Sequence, residues 1–64
     1  MSEKLEQLLK HKDPEVRRQA LKDLQRQEKD PLVNVPILIR SLEDESWRVR
    51  KTAVEILLDI GGET

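Results

Sequence analysis

The chain has 64 residues, one histidine, no cysteine, and a formal net charge of -1 from twelve Lys and Arg against thirteen Asp and Glu. A length this small makes one domain, residues 1–64, that buries only roughly 60% of its unfolded surface. Disulfides and cysteine-based zinc sites are excluded, a lone histidine builds no metal centre, and balanced charge argues against a general polyanion binder.

No apolar run approaches the roughly 18 residues of a membrane span, and no charged-then-apolar leader opens the chain, so a cytoplasmic protein without membrane contact is expected. Hydrophobic content is only 36%, yet the apolar residues recur with helical periodicity, which fits an array of helices with solvated outer faces rather than a disordered chain.

Ser2 opens a first helix over roughly residues 3 to 11, with Leu5, Leu8 and Leu9 as a narrow apolar stripe. Asp13 and Pro14 are an N-cap followed by proline at the first helical position, where its missing N–H costs nothing. The second helix, through about residue 29, turns Val16, Ala20, Leu21 and Leu24 inward. Asp30 and Pro31 break it, and residues 30–34 read as a connector whose Leu32 and Val33 fold back over the core, with Asn34 as the next cap. A third helix is expected from Val35 to Glu43, with Pro36 in its first turn and Ile37, Leu38, Ile39 and Leu42 apolar around more than half its circumference. Ser46 caps a fourth helix whose stripe is Val49, Ala53, Ile56, Leu57 and Ile60, and Gly61 supplies a left-handed residue that ends it. Val54 and Leu58 lie well round from that stripe, so the apolar arc is wider than one neighbouring helix requires.

An offset of 33 residues places Leu5 on Leu38, Leu9 on Leu42, Val16 on Val49, Arg17 on Arg50, Ala20 on Ala53 and Leu24 on Leu57. A period of this length with two helices per unit marks a helical solenoid. The stretch VPILIRSLEDESWRVRKTAVEILLDIG resembles a HEAT repeat of the short type seen in phycobilin lyases, carried by Pro36, Asp44, Val49, Arg50, Ala53, Leu57, Ile60 and Gly61; DPEVRRQALKDL is a weaker copy. The resemblance implies an all-α fold: two helix-turn-helix HEAT-like repeats, residues 2–29 and 35–61, forming a four-helix fragment of a right-handed α-α superhelix. The first repeat has Asp23 and Gln27 where the second has Ile56 and Ile60, as expected of an N-terminal capping unit with a wet outer face. Leu58 stands where the family often has glycine and should protrude.

The same resemblance implies that Arg17, Asp44 and Arg50 belong to a structural ladder along the interhelical turns, where guanidinium forks bridge carbonyls and a carboxylate. His11 replaces the aspartate in the first repeat, leaving the ladder incomplete there. Arg18, Lys22, Arg26 and Lys51 fall on the helices that line the concave side in this family, but Glu15, Asp23 and Glu55 interrupt them, so a solvated face is expected and nucleic-acid binding is not. Trp47, at the first position of its helix, is either an exposed anchor or a ring folded over the turn.

No nucleophile, base and carboxylate constellation is present, so no catalytic residue and no cofactor are assigned. Two repeats are fewer than the three or so that usually make a stable stack. Ile56, Leu58 and Ile60, with Trp47, are therefore candidates for a C-terminal apolar interface. The expected function is a non-catalytic protein-interaction or scaffold module, self-associating or part of a longer array. A nucleic-acid-binding repeat module and an accessory domain of a bilin-lyase-like protein are the alternatives.

Overall fold

Three of the four helices among the described residues begin where a short polar side chain supplies the acceptor that an orphan backbone N–H lacks. A computed structural model describes residues 2–62, leaving Met1, Glu63 and Thr64 outside the described residues. Helix α1, Glu3–Leu9, starts at Ser2, whose Oγ accepts from the Leu5 N–H at 3.1 Å. Helix α2, Pro14–Gln27, starts at Asp13, whose carboxylate accepts from the Glu15 N–H at 2.9 Å. Helix α3, Pro31–Ser41, starts the same way at Asp30, which accepts from the Leu32 N–H at 3.0 Å. Helix α4 is Trp47–Gly61.

Residues 31–34 are therefore the first turn of α3 and not a connector. Asp30 and Pro31 use the device of Asp13 and Pro14, so they end one helix and start the next. Leu32, expected over the core, is 86% exposed, and Val33 also reaches solvent. Asn34 is not a cap: it is buried, and its Nδ2 donates to the Glu28 carbonyl at 2.9 Å. Pro36 sits inside α3 rather than in its first turn, which removes one helical donor. The carbonyl left over is that of Leu32, where solvent can take its place.

Two other expectations fail at the ends of α4. Ser46 occupies the N-cap position in extended conformation, but its side chain makes no capping bond. Gly61 is the last helical residue, and Gly62 follows at φ -70° and ψ -10° with its N–H donating to the Leu58 carbonyl at 2.8 Å. No glycine among the described residues has positive φ. Glycine permits the left-handed region without requiring it, and the right-handed helix simply runs on to Gly61.

The helices pair as two hairpins, α1 with α2 and α3 with α4, and the hairpins stack mainly through α2 against α4. Leu5, Ala20 and Leu24 form the core of the first hairpin. Leu21, Leu38, Val49, Ala53 and Ile56 form a larger core at the stacking plane. Leu9 and Ile37 pack against both, so the two clusters are continuous. Closer approach at α2 and α4 than at α1 and α3 makes the α2/α4 side the inner curve of the stack.

Candidate interaction face

The turn of each hairpin is tied by an arginine one turn into its second helix. Arg17 Nη1 donates to the carbonyls of His11 at 2.6 Å and Lys12 at 3.0 Å. Arg50 Nη1 donates to the carbonyls of Asp44 at 2.6 Å and Glu45 at 3.3 Å, the same pattern displaced by one repeat. The two arginines differ on their other edge. Arg17 Nε and Nη2 donate to Asp44 Oδ2 and Oδ1, both at 2.9 Å, and this fork crosses from one hairpin to the next. Arg50 Nε and Nη2 have no such acceptor among the described residues.

The fork has an electrostatic signature. Arg17 holds the Asp44 carboxyl below the usual carboxylate range, opposed by burial and helped by the Ser46 N–H at 2.9 Å and the Arg50 charge. Asp44 in turn raises Arg17 above its already high ordinary value. His11 reproduces only half of the Asp44 role. Its Nδ1 accepts from the Asp13 N–H at 3.0 Å, as Asp44 Oδ1 accepts from Ser46, but it offers no second anionic oxygen to a neighbour.

The 33-residue offset relates one side of α2 to the same side of α4. On α2, Arg17, Leu21 and Gln25 lie one turn apart on one side. All three are engaged by the second hairpin: Arg17 by Asp44, Leu21 within the stacking core, and Gln25 through Nε2 to Asp59 Oδ2 at 3.0 Å. Their counterparts on α4 are Arg50, Val54 and Leu58. Val54 is 43% and Leu58 70% exposed, whereas Leu21 is buried. On the companion helix Ile39, the counterpart of Glu6, is 53% exposed. An arginine and three large apolar side chains thus occupy the side of the second hairpin that the first hairpin uses for stacking.

Ile56 and Ile60 do not belong to that surface. Ile56 is 5% exposed within the stacking core, and Ile60 packs against the same cluster, because their positions on α4 point back toward α2 and α3. Trp47 is 58% exposed, with the Arg48 guanidinium 5.4 Å from its ring centroid. The cations of the inner curve are partly neutralised on their own helix: Arg18 pairs with Glu15 at 2.6 Å, and Arg26 pairs with Asp23. Lys22 and Lys51 are exposed, and Lys51 lines a polar depression with Arg18, Trp47, Arg48 and Glu55. Among the described residues no group of three or more potential metal ligands converges, and no helix is long and apolar enough to cross a membrane.

The family model for HEAT repeats matches residues 2–64. No curated protein and no solved structure matches the chain. HEAT repeats are generally scaffolds for protein interaction and are typically non-catalytic. With two stacked helical hairpins in a 33-residue register and a match over nearly its whole length, the chain belongs to the HEAT repeat family.

Proposed function

We propose that the chain is a non-catalytic protein-interaction or scaffold module whose docking surface is the outer side of α3 and α4, bearing Arg50, Val54, Leu58 and Ile39. The observation that carries this reading is the contrast between equivalent positions: Leu21 is buried by the second hairpin, while Val54 and Leu58 lie exposed on the corresponding side of α4. Three large apolar side chains on one side of a chain this small are a cost in water that a partner removes. A second copy, a further repeat or another protein each supplies such a cover.

Replacing Leu58 with Asp tests the assignment. As a docking residue, Leu58→Asp leaves helix content and thermal midpoint of the dilute protein unchanged, and it suppresses any rise of molar mass with concentration in light scattering. Loss of helix content in the dilute variant would place Leu58 in the core of the monomer and sink the reading. The nucleic-acid alternative has less support, because Arg18 and Arg26 are already paired with carboxylates and the net charge is negative.

A further inference from the structure

We propose that the depression between α2 and α4 holds an extended acidic segment of another polypeptide, with a carboxylate set above Thr52 between Arg48 and Lys51 and an aromatic side chain laid against Trp47. This surface is separate from the outer side of α3 and α4, so the inference goes beyond the reading above. The depression has a volume of about 410 Å³. Thr52 is part of its lining and only 4% exposed, and the Thr52 hydroxyl has no hydrogen-bond partner among the described residues. A withdrawn hydroxyl without a partner carries a free-energy cost that an arriving acceptor removes. Trp47 forms the wall, with the Arg48 guanidinium 5.4 Å from its ring centroid and more than half of its surface still in water. An indole left open beside cations suits a ligand that is flat and apolar at one point and anionic at the next.

Charge sets the sign of the ligand. Arg18, Arg48 and Lys51 line the depression against Glu15 and Glu55, three cations to two carboxylates. Arg18 is already committed to Glu15 through Nε and Nη2. Arg48 and Lys51 have no carboxylate within ion-pair distance among the described residues. Glu15 reports the local field: Arg18, bonded to it, holds its carboxyl below the usual carboxylate range against partial desolvation, and the charges of Arg48 and Lys22 add to the effect. A carboxylate is thus an anion this surface already accommodates once. A second one would meet Arg48 and Lys51 as Glu15 meets Arg18, whereas a basic segment would be repelled.

The test uses the full chain, with Trp47 as its own reporter because it is the only aromatic residue. A peptide Asp-Glu-Phe-Asp-Glu with blocked ends is titrated while Trp47 fluorescence and backbone amide shifts are followed. Two controls carry Lys in place of every acid and Ala in place of Phe. The expected result is a saturable response to the acidic peptide, centred on Trp47, Arg48, Lys51 and Thr52, weaker with the Ala control and absent with the Lys control. Arg48→Gln and Lys51→Gln should each weaken the acidic peptide by up to about fivefold. Thr52→Val, which keeps the shape and removes the hydroxyl, should weaken it by roughly threefold with helix content unchanged. Leu58→Asp should leave the response as in the parent, so this inference and the outer-face reading fail by different measurements. No saturable response, an equal response to the Lys control, or an affinity indifferent to Arg48→Gln, Lys51→Gln and Thr52→Val would overturn the proposal. Loss of the response in Leu58→Asp would move the segment to the outer side of α3 and α4, also against it.

Discussion

Arg17 and Asp44 join the two hairpins by a two-point fork, Nε to Oδ2 and Nη2 to Oδ1, each 2.9 Å, across 27 positions of sequence. Both side chains are largely withdrawn from solvent, so the pair is screened less than the helix-surface pairs Arg18–Glu15 and Arg26–Asp23. Removing one member strands the other at the joint. Asp44→Ala or Arg17→Ala should each cost about 2 kcal/mol in urea unfolding, whereas Glu15→Ala should leave the unfolding midpoint close to that of the parent. A double-mutant cycle on Arg17 and Asp44 should return a clear coupling energy. Additive losses would mean that the fork contributes nothing beyond what each side chain does within its own turn.

The same fork sets a pH dependence. The folded-state pKa of Asp44 lies below its unfolded value of about 3.9, so the unfolded chain binds the proton more readily. The stabilisation is complete above the unfolded pKa and is lost as pH falls through the folded one. As pH falls below about 4, the thermal midpoint of the parent should fall more steeply than that of Asp44→Asn. Parallel curves would assign the acid sensitivity to other carboxylates. Glu15 is also held low, by Arg18, but it is solvated and should affect the slope little.

Much of this arrangement was legible because the repeat period is a physical constraint. Stacked hairpins need the same inward residue at the same offset, so Leu38, Val49 and Ala53 could be read from Leu5, Val16 and Ala20. The start of α3 lies earlier than the sequence suggests because Asp30 and Pro31 carry two signals at once, ending one helix and capping the next, while Pro36 equally suits the first turn of a later helix. Ile56, expected at an apolar interface, lies in the core because apolar excess on α4 does not reveal which apolar residues face inward. Leu21 and Gln25 differ from their counterparts at the 33-residue offset, Val54 and Leu58, in burial and not in position. The burial of Asn34 had no periodic signal at all.

Asn34 is the polar lock between α2 and α3. Its Nδ2 donates to the Glu28 carbonyl at 2.9 Å, while its buried Oδ1 has no hydrogen-bond partner. An aspartate there would keep the unpartnered oxygen and lose the donor, placing two acceptors against each other. Asn34→Asp should therefore destabilise by about 2 kcal/mol or more at neutral pH, and Asn34→Ala by about 1 kcal/mol. The order of the two in chemical denaturation is diagnostic: Asp no worse than Ala would show that the amide donor is not what holds the connection.

Trp47 offers a direct optical check on the outer end of α4. It is the only aromatic residue, it sits at the first helical position, and the Arg48 guanidinium lies 5.4 Å from its ring centroid. A ring folded under the turns would be shielded and would contribute to the core; at 58% exposure it does neither. Its fluorescence should be quenched by acrylamide nearly as readily in the folded protein as in urea, and Trp47→Ala should cost less than about 1 kcal/mol, mainly the contact with Arg48. The apolar core predicts the opposite for Leu21→Ala, about 2 to 5 kcal/mol, since Leu21 fills the stacking plane between the hairpins. Strong protection of Trp47 from quencher in the dilute protein, together with a loss comparable to that of Leu21→Ala, would put the indole in the interior and require a different packing of the turn between α3 and α4.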